Sequence, residues 1–312
     1  MTHPDLLVGL ETGDDAAVWR RPDGRALVAT VDFFTPVVDD ARTWGAIAAA
    51  NAVSDVYAMG GAPLFALNIA VWPKDELPLD LLGEVLSGAN DIAAQGGYVV
   101  VGGHTIDGAE PLYGQVVVGE VNEGHILTNA GARAGESVVL TKALGTGIIT
   151  TAIKLERATR GMQDAAIASM TRLNFEASAA ALRAGARCAT DVTGFGLLGH
   201  IYKLALASGV AVELDVDELP ILPGVQQLAE EGCFPGGTTR NLDFAAHRVK
   251  SADRGRWESW KMLVADPQTS GGLLFTCSPD AADAAVATLQ ATGHAAAVIG
   301  RVAIGPPGEI RI

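Results

Sequence analysis

The chain has 312 residues, with 22 Lys and Arg against 36 Asp and Glu, a formal net charge of -14, and 49% hydrophobic residues. That length suits one large or two medium domains with a substantial core, and the composition excludes a disordered chain. The acidic balance excludes a uniform basic footprint for nucleic acid but accommodates polyphosphates, because metal ions can sit between two anions.

The three cysteines, Cys188, Cys233 and Cys277, are far apart and form no CxxC, so they read as ordinary thiols rather than a disulfide framework or a zinc site. No basic, apolar leader opens the chain. No run of about 18 apolar residues marks a membrane span. A cytoplasmic protein without membrane contact is expected.

In chain order, Ala26 to Asp32 (ALVATVD) predicts a strand ending in an acid, and Trp44 to Met59 a helix stopped by Gly60-Gly61-Ala62-Pro63. Pro63 to Trp72 reads as a buried strand, Leu79 to Gln95 as a second helix, and Tyr98 to Val101 as a strand running into a turn at Gly102-Gly103-His104. Leu112 to Val121 is a further strand. A polar, Gly- and Asn-containing stretch then marks a boundary near 125–135, dividing the chain into 1–130 and 131–312. Beyond it, Ser137 to Thr141, Val210 to Leu214 and Leu273 to Thr276 predict strands. Helices are predicted at Ile148 to Arg157, Gln163 to Ala184 and Leu197 to Ser208. The irregular order favours an α+β fold of two α/β-sandwich subdomains over a doubly wound sheet.

The most informative residues are aspartates in Gly- or Thr-rich settings: Asp14 and Asp15 in ETGDDAAV, Asp32 in TVDFF, Asp55 in NAVSDVYAMGG, Asp107 in GGHTIDG and Asp191 in ATDVTGFG. A single aspartate at a turn is usually a cap, and Asp14 after Gly13 fits that reading. Asp55 does not, because it falls inside an apolar helix pattern. Buried carboxylates are costly unless paired or metal-bound, and several converging ones call for a hard cation with oxygen ligands, such as Mg2+.

Gly102-Gly103-His104-Thr105 reads either as a phosphate-cradling turn or as a plain tight turn. Pro235 to Thr238 and Thr269 to Gly272 leave the same two readings open. Gly194 to Gly199 matches GxGxxG, with Glu213 and Asp215 downstream as a dinucleotide site would need. A lone GxGxxG is weak, however, and would leave the N-terminal acids unexplained. Its other role is to bring a helix N-terminus to the loop carrying Asp191. His200 reads as a packed or capping residue, and His104 is the histidine with supporting context. There is no GxxxxGK[ST] and no GxSxG. Acids and glycines suit phosphoryl chemistry, which asks mainly for positioning and charge neutralisation.

ETGDDAAV, TVDFFTPVVDD, AAANAVSDVYAMGGAP, GGHTIDGAEPLYG, ATDVTGFGLLGH, PGGTTRN and DPQTSGGLL resemble, in order and spacing, selenophosphate synthetases (selenide, water dikinases) of the aminoimidazole ribonucleotide synthetase-like superfamily. The resemblance implies a homodimer of two α/β subdomains, the first binding ATP and metal. It implies conversion of ATP, selenide and water to selenophosphate, AMP and orthophosphate. It places Asp15, Asp55 and Asp191 at metal-holding positions, and Thr12, Gly13, Asp14, Asp32, Asp55, Gly103, His104 and Thr105 at ATP-contacting ones. Family members also carry, upstream of the block matching Pro4-Asp5-Leu6-Leu7, a Gly-rich segment with a Cys or selenocysteine nucleophile and a lysine. The sequence as written has none, its first lysine being Lys74. No catalytic nucleophile is therefore expected within it, and impaired turnover follows. A selenocysteine codon read as a stop would give such a start. A non-catalytic Mg-ATP-binding paralogue, or a related kinase acting on another small nucleophile, stands as the alternative.

Overall fold

A computed structural model describes residues 3–312. Among these, the chain forms two sheets. The first contains β1 (Leu6–Val8), β2 (Ala17–Arg20), β3 (Arg25–Phe34), β4 (Ala62–Trp72), β5 (Val99–Asp107) and β6 (Leu112–Asn122) in the order β1-β2-β3-β6-β4-β5. Two helices, α1 (Ala41–Ala58) and α2 (Leu79–Gly96), interrupt these strands. Asp40 caps α1 by accepting the Thr43 N–H at 2.8 Å. Gly97, in the left-handed region at φ 71°, closes α2.

The second sheet follows β7 (Ser137–Leu140), with α3 (Thr146–Lys154), α4 (Arg160–Thr171), α5 (Phe175–Arg183), β8 (Cys188–Asp191), α6 (Gly196–Ser208) and β9 (Ala211–Leu214). After α7 (Val225–Glu230) and α8 (Gly236–Ala245) come β10 (Val249–Lys250), α9 (Arg254–Val264), β11 (Leu273–Cys277), α10 (Pro279–Ala291), β12 (Ala297–Ala303) and β13 (Ile310–Arg311). Its strand order is β10-β13-β9-β12-β7-β11-β8. Val139 and Phe275 face α5 and α10, while Val138, Leu140 and Leu274 face the cluster built on α3, α4 and α6. Its central strands β7 and β11 are buried on both sides, which is why they read as continuous, mainly apolar runs.

The first sheet differs. Along β3, Ala26 and Val28 are buried, Thr30 and Asp32 half-buried, and Ala29, Val31 and Phe33 exposed. The period of two assigns one face to the protein and the other to its surroundings. Helix α1 covers the inner face and is itself buried on nearly every side, from Trp44 to Ala58. It packs against β3, β4 and β6 on one side and against α4, α5 and β8 on the other. The central helix thus joins the two sandwiches, and any polar side chain on it must be satisfied internally.

Three expectations need correction. The single helix foreseen over Gln163 to Ala184 is two, because Asn174 breaks it. Its buried amide donates to the Ser54 hydroxyl and the Gly271 carbonyl, both at 2.8 Å, a duty the helix would not permit. The turn foreseen at Gly102-Gly103-His104 is the middle of the exposed edge strand β5. Gly103 is needed for close strand approach, since a Cβ there would lie 2.2 Å from the Asn68 carbonyl oxygen. Pro235-Gly236-Gly237-Thr238 is the start of α8 rather than a loop.

Candidate active site

The site grows from the polar end of the inner face. Thr30 donates its hydroxyl to Asp55 on α1 at 2.5 Å. One turn earlier, Asn51 donates to Asp32 and accepts the Ser270 N–H at 2.9 Å. Asn51, Ser54 and Asp55 share one face of α1, at the i, i+3 and i+4 spacing that makes helix residues neighbours. Ser54 lies against Asp191, at the end of β8. Asp15, from the loop before β2, accepts the Thr190 hydroxyl at 2.8 Å. The chain therefore brings together carboxylates from a loop, a strand of each sheet and the central helix.

Burial raises all four. Asp15 and Asp55 stand well above the ordinary carboxylate range, through burial first and then the charge of Asp191. Burial lifts Asp32 too, against the Asn51 hydrogen bond. Asp191 is pushed up to about 6 by burial and Asp32, and held back by Ser54 and Lys142. Asp15 Oδ2 and Asp191 Oδ2 are buried without a hydrogen-bond partner. Buried oxygens left unpaired and mutually repelling are unfavourable as they stand. An all-oxygen donor set of this kind fits a hard divalent cation. Among the described residues, no three His, Cys, Asp or Glu side chains are drawn together as a ready-made metal cage.

Two lysines belong here that the sequence reading passed over. Lys142 is 3% exposed and donates to the carbonyls of Arg172 (2.7 Å) and Ser270 (2.9 Å). Burial pulls it down to about 7, opposed by Asp191. Its available signal was a lone cation in the apolar run SVVLTKALG. Lys203 on α6 lies beside Gly13: a Cβ at Gly13 would come 3.0 Å from its Cε. Its charge favours ionised Asp15. Asn51 and Ser54 were equally missed, though two polar residues in an otherwise apolar helix pattern were the clue.

The remaining expected residues divide. Gly13 takes φ 63° and offers its carbonyl to Asn129 Nδ2 at 2.9 Å. Asp14 spends both oxygens internally, on the Asn129 N–H at 2.6 Å and on the Thr12 hydroxyl, as a turn residue does. Gly103 lies in the sheet row Asp32–Gln115–Asn68–Gly103, and Thr105, two residues on, shares that inner side. His104 lies in the adjacent row Phe33–Gly114–Ile69–His104, on the opposite face. Asp107 is outside the cluster: it is exposed and paired with Lys74 at 2.9 Å. Thr269 to Gly272 forms a buried connection rather than an open cradle, with Ser270 N–H bonded to Asn51. All three cysteines are free and buried. Burial lifts Cys188 to about 12 and Cys277 to about 11, which makes neither a ready thiolate.

Two sandwiches joined by a buried helix, with carboxylates gathered at the joint, define a class. The chain matches the AIR synthase related protein N-terminal domain over residues 13–121 and the corresponding C-terminal domain over 133–312. Its fold is similar to that of thiamine-monophosphate kinase from Stenotrophomonas maltophilia K279a, with TM-score 0.70 and 24% identity over 99% of this chain and 92% of that one. It is likewise similar to the hydrogenase maturation protein HypE in complex with ATP, with TM-score 0.73 and 17% identity over 99% and 86%. Within the class, the sequence is 46% identical over 307 residues to the selenide, water dikinase of Geobacter metallireducens, covering 98% of this chain and 88% of that protein. It is 46% identical to that of Myxococcus xanthus over 98% and 87%. The chain belongs to the selenide, water dikinase family.

Proposed function

We propose that this protein makes selenophosphate from selenide, ATP and water, releasing AMP and orthophosphate. The family membership supports the reaction, and one observation supports the site: Asp15, Asp32, Asp55 and Asp191 come together at the joint of the two sandwiches, with Oδ2 of Asp15 and Oδ2 of Asp191 buried and unpaired. In this reading Asp15, Asp55 and Asp191 hold Mg2+, which neutralises charge on the polyphosphate. Thr12, Gly13, Asp32, Gly103 and Thr105 line the nucleotide's path, Asp14 shapes the loop before β2, and Lys203 supplies a cation beside Gly13. His104, on the outer face, contacts nucleotide only where a second copy covers that face.

The outer face supports a homodimer. Val31, Phe33, Leu67, Val99, Val101 and Ile106 expose large apolar side chains there among the described residues. Free, buried cysteines fit a reducing, cytoplasmic setting, and no helix among the described residues is long and apolar enough to cross a membrane. We place the domain boundary near residue 130, in the connection between β6 and β7.

The test is phosphorus NMR of the protein with Mg-ATP and selenide, run on the chain alone and on the chain joined to an upstream Gly-rich segment carrying a cysteine and a lysine. Selenophosphate with AMP in either form supports the proposal. Bound Mg-ATP that yields no AMP in both forms overturns it in favour of a non-catalytic nucleotide-binding protein.

A further inference from the structure

Helix α6 carries a histidine that the proposed chemistry leaves unused. His200 is 4% exposed, in the second sandwich, one turn before Lys203. Its Nε2 accepts the Thr193 N–H at 3.1 Å, so that nitrogen carries no proton in the neutral ring. Its Nδ1 lies 3.3 Å from the Thr190 hydroxyl oxygen. That hydroxyl has one proton, and its shortest contact is to Asp15 Oδ1 at 2.8 Å, against 3.3 Å to the Asp191 carbonyl. The directions are then fixed: the Thr193 amide donates to His200, the His200 Nδ1–H to Thr190, and Thr190 to Asp15. Asp15 Oδ2 remains buried and unpaired. The chain of bonds thus holds one oxygen of Asp15 and leaves the other aimed at the site.

We propose that His200 is a positioning residue for Asp15, acting through Thr190 so that a residue of the second sandwich sets a metal-binding carboxylate of the first. This rests on the reading of Asp15 as a metal-binding residue. Partners that orient a ligand in this manner typically change metal affinity by about 10–100-fold when removed. The GFGLLGH turn acquires a purpose by it. Gly196 opens α6 at φ 67°, where a Cβ would come 2.8 Å from the Ala265 carbonyl carbon, and the turn sets His200 behind Thr190.

The probe is Mn2+, followed by its paramagnetic resonance spectrum in the presence of ATP, with melting curves for each variant. Thr190→Val and His200→Leu are expected to weaken Mn2+ binding by about 10–100-fold. His200→Asn, whose amide can replace the Nδ1–H, is expected to restore it. The double variant should be no weaker than Thr190→Val alone, since both act through one hydroxyl. Asp15→Asn separates the two ideas. If it binds Mn2+ like the parent, the metal reading fails and takes this proposal with it. If it loses Mn2+ while folded His200→Leu does not, the positioning role alone is overturned. Nitrogen-15 NMR of the parent's histidine rings needs no variant: the Nδ1–H tautomer is expected for His200, and the Nε2–H tautomer would overturn the proposal.

Discussion

The two faces of the first sheet are made by the same strands and do opposite things. On the inner face, β3 begins apolar with Ala26 and Val28 and ends polar with Thr30 and Asp32, each taken up by a side chain of α1. On the outer face the same strand leaves Val31 and Phe33 exposed among the described residues. A one-residue slip in register would exchange the two sets, placing Asp32 outside and Phe33 against α1. The comparison teaches that a strand with alternating side chains can serve two surfaces at once. The polar positions Thr30 and Asp32 are placed by the packing of Ala26 and Val28, further back on the same inner face.

The sharpest way to break the comparison is to remove charge from the inner face. Asp55→Asn keeps an oxygen to accept the Thr30 hydroxyl, so the fold should hold. Loss of one such electrostatic group is expected to lower metal-dependent ATP cleavage by on the order of 100-fold or more, measured as AMP release. The metal-free variant should melt at a higher temperature than the parent, because a buried, repelled carboxylate has gone. Full activity in the variant would remove Asp55 from the site.

The outer face is tested by Phe33→Asp, one residue beyond Asp32. Introducing charge into the exposed apolar patch should leave the monomer folded and convert a dimer to a monomer in sedimentation equilibrium. Metal binding by the inner face should survive if the faces are independent in function. An unchanged dimer would move the interface elsewhere. A monomer that still turns over ATP with parental KM would show that His104, in the same outer row, makes no contact with nucleotide.

A subtler probe is Asn51→Ala, which touches only the joint. It leaves the Ser270 N–H without its acceptor and frees Asp32 from its donor. A buried donor left unsatisfied costs about 1–3 kcal/mol, read in denaturant unfolding. A smaller loss would mean that water takes over the bond to Ser270.

These residues also measure what the sequence discloses. Asp55 was legible because a carboxylate inside an apolar helix pattern has no cap to serve, and Asp191 because it closes a short apolar strand before glycines. The outline of two mixed sandwiches followed from the irregular order of strands and helices. What stayed hidden depends on lateral placement. The turn expected at Gly102-Gly103 is an edge strand, since only the pairing with β4 reveals that glycine there makes room for Asn68. That pairing also sends His104 to the face opposite Asp32. Asp107 looked like its fellows but is neutralised at the surface by Lys74, far away in the pattern of motifs. Asn174 splits a helix whose local propensity is good, because its amide is needed by Ser54 and Gly271. Lys142 gave one local hint, yet its carbonyl acceptors come from two distant segments.

The smallest expected effect is a pH dependence confined to the inner face. The titrating groups there are Asp15, Asp32, Asp55 and Asp191, facing Lys142 and Lys203. A carboxylate whose folded pKa is raised binds more protons folded than unfolded, so metal-free stability falls as pH rises through that interval. For Asp191 the interval runs from the ordinary value of 3.8 to about 6. Burial of His200, drawn down to about 3, acts with opposite sign: its folded ring stays neutral, and stability is lost as pH falls below the ordinary 6.5. The two trends partly cancel in the metal-free protein, so its melting temperature alone is a weak measure. Divalent cations separate them, because protons compete with the metal at the carboxylates and not at the buried ring. The rise in melting temperature on adding Mg2+ should therefore be larger at pH 7.5 than at pH 5 by about a few degrees. Phe33→Asp should keep that difference, since no outer-face group takes part, and Asp55→Asn should shrink it. A Mg2+ effect equal at both pH values would mean that the ion is not held by the raised carboxylates at all.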